Sequence, residues 1–308
     1  MQVVYGHRNA PAWDGAAIAI GNFDGVHAGH RALIARAREL AAAHGARTVV
    51  LTFDPHPSAL LAPAQAPRML TSIKRRLELL AEAGVEAVVV EPFTRELAAV
   101  AADAFIDDIV VDALQARAII VGYNFRYGQA RAGTIDSLRA HGEAGGIEVA
   151  IVPPVTVDGE IAASTKVRGY LAAGDLAAAE RILGRRWDID GIVEHGAQRG
   201  RAIGIPTANI ATDIELPIAP GIYAVTLAAE RGPALPAVAS LGTNPTFVAD
   251  GRLVLEVHVL DWSGDLYDHR VRTTFVARLR DELKFDSVEA LLVQIRRDID
   301  QARAVLAP

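Results

Sequence analysis

The chain of 308 residues has no cysteine and only 2 methionines, and aromatic residues make up 6% of it. Without a thiol, disulfides, thiolate nucleophiles and cysteine-built zinc sites are all excluded. Long apolar runs are missing as well, and none approaches the roughly 20 residues that cross a bilayer. Hydrophobic residues reach 51% and mean hydropathy is +0.22, but much of that is alanine spread through helical stretches. The opening residues, MQVVYGHRNAPAWDG, lack the basic stretch and apolar core of an export signal, so the expected location is cytoplasmic with no membrane partner. A basic excess is absent too: the formal net charge of -6 argues against nucleic acid as the main partner. Two phosphate-binding signatures do not occur, because there is no G-x-x-x-x-G-K-[ST] loop and no two glycines stand one residue apart. Any anion site must be assembled from other parts.

What is present is organisation. A chain this long outgrows a single hydrophobic core, which predicts two domains with a boundary near Gly184–Arg186, residues 1–185 and 186–308. From Ala16 to about Leu183 a short apolar run, a loop and a helical segment alternate. The runs are AIAIG (17–21), TVVLTF (48–53), EAVVVEPF (86–93), AIIVG (118–122) and VAIVP (149–153). This is the pattern of a parallel sheet with helices on its faces, a Rossmann-like α/β domain. Thr71 or Ser72 caps one of the helices and Gly84 ends it. After Arg186 the pattern changes to strands with short links: Trp187 to Glu194, Gly221 to Ala228, Ala237 to Leu241, Leu253 to Leu260 and Val271 to Ala277. That spacing predicts a small antiparallel barrel or sandwich. A closing helix carries Val288, Leu291, Leu292, Ile295, Ile299, Ala302 and Leu306 on one face, with Asp286 and Glu289 as its capping pair.

Four stretches carry chemistry. In "GNFDGVHAGH" the first strand ends at Gly21 and a helix starts around His27 to His30, so free amides and the helix dipole face whatever lies beyond the sheet edge. Gly29 lets a ligand approach the backbone, and His27 and His30, one turn apart, offer hydrogen bonds to phosphate; a pair of solvated helix-start histidines is the plainer alternative. In "ASTKVRGYL" Ser164 and Thr165 open a helix with Lys166 and Arg168 in its first turn, where cations oppose the dipole unless an anion binds. Taken alone, this stretch is more simply an ordinary Ser/Thr cap with solvated basic residues. In "GIVEHGAQRGRAIGIPTANI" Gly196, Gly200 and Gly204 recur every four residues before Thr207 and Asn209. Such a loop can wrap phosphates with its amides, and the two neutral oxygens suit hydrated Mg2+; a surface hairpin with turn glycines is the alternative. In "LVLEVHVLD" the odd positions are apolar, and Glu256 shares the other face with Val254, His258 and Leu260. A carboxylate flanked by apolar neighbours on an inward-looking face suits a general base, and an edge-strand Glu in a surface ion pair competes with that reading.

Taken together, His27-x-x-His30 and Ser164-Thr165-x-x-Arg168 resemble the paired signatures of the nucleotidyltransferase superfamily. More closely, "GNFDGVHAGH", "TFDPHP" (52–57), "VGYNFRYGQARAG" (121–133) and "ASTKVR" resemble the FAD synthetase module of prokaryotic bifunctional riboflavin kinase/FAD synthetases. The glycine loop with PTAN, "SLGTNPTF" (240–247), the Glu256 strand and "LRDELKFDS" (279–287) resemble the riboflavin kinase module of the same family. By this resemblance His27 and His30 stabilise the ATP phosphates, while Ser164, Thr165 and Arg168 hold the pyrophosphate. Asn124 contacts nucleotide or flavin phosphate, and Pro55, His56, Pro57 and Tyr127 shape a flavin pocket. Thr207 and Asn209 hold Mg2+ and ATP, Glu256 takes the proton of the riboflavin 5'-hydroxyl, and Arg280 and Glu282 lie in a loop that closes over flavin. Many relatives carry Asp, Phe, Ser and Arg where this chain has Asn124, Tyr127, Ala163 and Lys166. Asn124 cannot ionise, so it brings no base.

The resemblance implies substrates riboflavin, FMN and ATP, Mg2+ as cofactor, and a monomer or transient oligomer. Two rivals stay open at this level. One is a kinase fused to a transferase of different specificity, and the other is a flavin-binding sensor on the same fold. A sensor has no use for a base, so His27, His30, Arg168 and Glu256 occurring together favour an enzyme.

Overall fold

The computed structural model describes residues 1–195, 204–230, 232–243 and 253–307. They form two compact units, Met1–Pro67 with Arg76–Ala163, and Arg68–Arg75 with Ser164–Pro308.

The first unit is built on a six-stranded sheet: β1 (Gln2–Tyr5), β2 (Ala16–Ile20), β3 (Arg47–Asp54), β4 (Ala87–Pro92), β5 (Ala116–Gly122) and β6 (Glu148–Val152). All pairings are parallel, in the order β1-β4-β3-β2-β5-β6. Five of these strands coincide with the predicted apolar runs. The sixth, β1, was not foreseen, since it has four residues and only Val4 is buried. Strands β2 to β5 are buried along most of their length, as a sheet covered on both faces requires. Helix α1 (Ala28–His44) follows β2 and buries Leu33, Ile34, Ala37, Leu40 and Ala41, the i, i+4, i+7 spacing of one helix face. It ends at Gly45, whose φ of 59° is the left-handed cap that glycine adopts without steric cost.

Sheet order decides where a ligand can enter. From β2 the chain progresses to β3 and β4 on one side, then crosses back to β5 and β6 on the other. The strand ends of β2 and β5 therefore diverge at a switch point, the place where open α/β sheets bind ligands. Gly21 and Gly122 mark those ends.

The second unit is a closed antiparallel barrel. Its strands are β9 (Asp188–Glu194), β10 (Ala208–Thr212), β11 (Gly221–Ala229), β12 (Leu235–Thr243), β13 (Leu253–Val259) and β14 (Arg270–Arg280) in the order β10-β13-β12-β11-β14-β9. Here β7 and β8 are the two-residue strands Thr156–Val157 and Glu160–Ile161 of a small hairpin in the first unit. The barrel interior holds Trp187, Tyr223 and Phe275, with ring centroids of Trp187 and Phe275 5.0 Å apart and those of Tyr223 and Phe275 5.3 Å apart. Helices α2 (Ser164–Ala173), α3 (Leu176–Leu183) and α4 (Val288–Leu306) complete this unit.

The segment Arg68–Arg75 is fastened to the barrel by directed bonds. Trp187 Nε1 donates to Leu70 O at 2.9 Å, and Arg75 grips Asp188 through Nε and Nη2 at 2.9 and 2.8 Å. Ser72 Oγ accepts from Arg75 N, so it is the serine of the Thr71-Ser72 pair that caps. For α4 the cap is Ser287, whose Oγ accepts from Ala290 N at 3.1 Å. The predicted Asp286 cap is thus displaced by one residue, because the extended backbone of Ser287 (φ -148°, ψ 159°) aims its hydroxyl at the open amides.

Candidate active sites

The segment between β2 and α1 is short, buried and conformationally unusual. Phe23 and Val26 take φ of 50° and 44°, and Gly25 takes 84°. A β-branched residue at positive φ is costly, and such backbone persists where the surroundings fix it, often at functional sites. The segment is fixed by Gly21 N donating to Leu51 O at 3.1 Å and Thr52 Oγ1 donating to Asn22 O at 3.1 Å. It delivers His27, 5% exposed, as the N-cap of α1. The rings of His27 and His30 stack with centroids 3.7 Å apart, and Phe23 packs against His30 at 5.1 Å. At Gly29 a Cβ would meet the His27 ring at 3.1 Å and Ala162 O at 3.3 Å, so glycine lets the ring pack here. The histidines are therefore packed and oriented, unlike a freely solvated pair.

At the switch point lies a cleft of about 620 Å³ lined by Gly21, Asn22, Phe53, His56, Pro57, Phe93, Phe125 and Tyr127, among others. It gathers five residues named in the sequence motifs: Gly21, a candidate phosphate-binding glycine at the strand end, with Asn124, His56, Pro57 and Tyr127. Pro55, joined to Asp54 by a cis peptide, is exposed and is not part of the lining. His56 Nδ1 accepts from Ser58 N at 3.2 Å, and the side chain of Asn22 lies 3.0 Å from its Nε2.

Tyr127 is buried, 6% exposed, and its ring lies parallel to Phe125 at 5.5 Å. Burial pushes its phenol above the ordinary tyrosine range, partly offset by the hydrogen bond to Ser137 Oγ at 3.2 Å. The half-buried Phe125 shares the wall. Phe53, Phe93 and Phe125 were missed as cleft residues, although Phe53 and Phe125 stand inside quoted motifs and their aromatic character was the available signal. Asn124 also borders a neighbouring cavity of about 550 Å³ edged by Arg126, Arg131 and Arg139.

Ser164, Thr165 and Arg168 belong to the second unit. Ser164 is the first residue of α2, as predicted, and Arg168 Nε donates to Arg68 O at 2.7 Å.

In the barrel, strand pairing brings distant residues together. Asn209 of β10 is directly opposite Glu256 of β13, and Glu256 is opposite Ser240 of β12. Directly opposed residues of antiparallel strands point to the same side, their Cβ atoms about 5 Å apart. Leu255 and Val257, each 1% exposed, fill the interior, so Glu256 and its partners lie on the outer face of the barrel. The expectation of an inward-looking Glu256 is therefore corrected. The alternation was read properly, but closure of the sheet turned the wholly apolar set inward.

Glu282 reaches the same face. A Cβ at Gly242 would collide with its carboxylate, and Gly242 pairs with Val254, two residues before Glu256. Arg280 behaves differently from expectation. It is the last residue of β14, not part of a loop, and its guanidinium grips Asp298 of α4 through Nε and Nη2 at 2.8 and 2.6 Å.

Thr207 immediately precedes β10 and borders a cavity of about 280 Å³ shared with Pro206, Val257, Val259, Trp262 and Tyr267. Gly204 has φ of 81° and open space around it, whereas Gly196 and Gly200 lie outside the described residues. Thr207, Asn209 and Glu256 offer a hydroxyl, an amide oxygen and a carboxylate, hard oxygens of the kind that Mg2+ takes alongside substrate phosphates and water. Among the described residues no group of three His, Cys, Asp or Glu could hold a metal alone.

The chain matches the FAD synthetase family over residues 9–166 and the riboflavin kinase family over residues 183–306. It is 40% identical to the bifunctional riboflavin kinase/FMN adenylyltransferase of Pseudomonas fluorescens over 100% of this chain and 99% of that protein. The Escherichia coli K12 protein of the same description is 39% identical over 98% and 97%, and that of Listeria monocytogenes 36% identical over 94% and 92%. A solved structure described as a macrolide-efflux protein from Streptococcus pneumoniae superposes with a TM-score of 0.85 at 30% identity, covering 98% of this chain and 99% of that one. Among the described residues no helix is long and apolar enough to cross a membrane. Similarity at this level along nearly the whole length, with each half matched in order, means that the chain belongs to the bifunctional riboflavin kinase/FMN adenylyltransferase family.

Proposed function

We propose that the chain makes FAD from riboflavin in two ATP-dependent steps, with residues 186–308 as the riboflavin kinase module and residues 1–185 as the FMN adenylyltransferase module. The observation that carries the kinase assignment is the register that sets Asn209 opposite Glu256, beside Thr207. A phosphate-binding amide and a candidate base are thereby neighbours on one rigid face, which is what a positioned phosphoryl transfer needs.

In the first step Glu256 accepts the proton of the riboflavin 5'-hydroxyl, whose oxygen forms a bond to the γ phosphorus of ATP as the bond to the β-phosphate oxygen breaks. FMN and ADP leave. Thr207 and Asn209 hold the nucleotide and Mg2+, which when bound neutralises phosphate charge as it shifts to the leaving group. Gly196, Gly200 and Gly204 supply the phosphate loop, and the aromatic-rimmed cavity beside Thr207 suits a nucleobase. Glu282, lying over Gly242, borders the flavin.

In the second step an FMN phosphate oxygen attacks the α phosphorus of ATP and pyrophosphate departs. The attacking group is already anionic, so no base is required and the task is positioning with charge stabilisation. His27 and His30 serve the ATP phosphates, and Ser164, Thr165 and Arg168 serve the pyrophosphate. Flavin occupies the cleft at the switch point, against Phe125 and Tyr127 on one wall and His56 and Pro57 on the other. Incubation of the purified chain with riboflavin, ATP and Mg2+, followed by chromatography, is expected to give FMN and then FAD. Absence of both flavin nucleotides would contradict the reading.

A further inference from the structure

The ladder between β10 and β13 stops at Ala208↔Val257. Continued by one residue, the register would set Thr207 opposite His258. At that step a side-chain bond takes over: His258 Nδ1 lies 2.7 Å from Pro206 O. A carbonyl oxygen only accepts, so Nδ1 carries the hydrogen and donates it. Proline has no N–H of its own to give to a ladder, which leaves its carbonyl as the backbone group by which this point of the chain can be fastened. His258 stands two residues from Glu256 on the same outer face, and the fastened residue immediately precedes Thr207.

We propose that His258 is a positioning residue of the kinase site: its Nδ1–H bond to Pro206 sets Thr207 and Asn209 relative to Glu256. This rests on the kinase reading of the barrel given above. Without the donor, the exit of the glycine loop is no longer held to the strand that carries the base. The nucleotide then has to order this segment each time it binds, so the cost falls on ATP affinity more than on the chemical step.

Two shape-matched substitutions test it. His258→Asn keeps an N–H donor at the same number of bonds from the backbone as Nδ1, and His258→Leu has the same branching without a donor. Steady-state formation of FMN is expected to show the KM for ATP raised about tenfold in H258L, the equivalent of one hydrogen bond. In H258L kcat and the KM for riboflavin stay near wild type, and H258N restores the KM for ATP. If H258L does not give cooperative thermal unfolding, His258→Phe serves as the donorless variant. A donorless variant with wild-type KM for ATP, or an H258N as impaired as its donorless counterpart, overturns the proposal. The wild-type chain measured in parallel separates the two levels, because its failure to make FMN would remove the kinase reading itself.

Discussion

A methyl group added at Gly242 would run into the Glu282 carboxylate, which lies flat over this position of β12. Gly242→Ala is therefore expected to push Glu282 off the outer face. Overpacking of this kind costs about 1–3 kcal/mol where the neighbour cannot yield; here an exposed side chain yields and the cost appears in binding. The expected result is a KM for riboflavin raised about tenfold, some 1.4 kcal/mol, with FMN-to-FAD conversion unchanged, measured by steady-state chromatographic assay. An unaltered KM would place Glu282 outside the flavin site. Single residues were also where sequence reasoning reached its limit. The motif around Arg280 was legible, yet its guanidinium is engaged by Asp298, eighteen residues later on a helix whose docking the sequence does not display. Gly29 stood out as a glycine in the motif, but nothing in the sequence shows that a side chain there would meet the His27 ring. In both cases the residue type was informative and its partner was not.

At the scale of elements, the terminal helix illustrates what a buried charge does. Asp298 is 3% exposed on a face otherwise read as apolar, and it accepts from Arg280 and, at 2.9 Å, from Gln294 Nε2. Removing one partner of such a pair strands the other, at about 3–5 kcal/mol. Asp298→Ala is therefore expected to lower the midpoint of the barrel's unfolding in urea by the equivalent of about 3 kcal/mol. The double change Arg280→Leu with Asp298→Leu should recover part of it. A single variant as stable as wild type would show that the pair is solvated. Strand β10 is the element whose absence from the sequence reading mattered most. Its residues were recognised as ligands, and the glycines and proline before them masked a five-residue strand. Only when that strand pairs with β13 do Asn209 and Glu256 become neighbours. The edge strand β1 was hidden for a different reason: a short strand with one buried residue has no periodicity to detect.

For the molecule as a whole, the alternation of apolar runs and helices gave the parallel sheet, and the change of spacing after Arg186 gave the barrel. Strand order was not legible, since periodicity carries no information about which strands pair. That order creates the switch point between β2 and β5, where the cleft with its phenylalanines opens. The grouping of Arg68–Arg75 with the barrel was likewise invisible, because it depends on the Arg75–Asp188 and Trp187–Leu70 bonds across more than a hundred residues. Candidate residues of the kinase, around Asn209 and Glu256, that are not shared with those of the adenylyltransferase imply two reactions that can be lost separately. The direct measurement is the flavin product profile over time of Glu256→Gln, supplied first with riboflavin and then with FMN, in each case with ATP and Mg2+. The account predicts no FMN from riboflavin and a wild-type rate of FAD from FMN. Loss of both conversions, or retention of both, would contradict it.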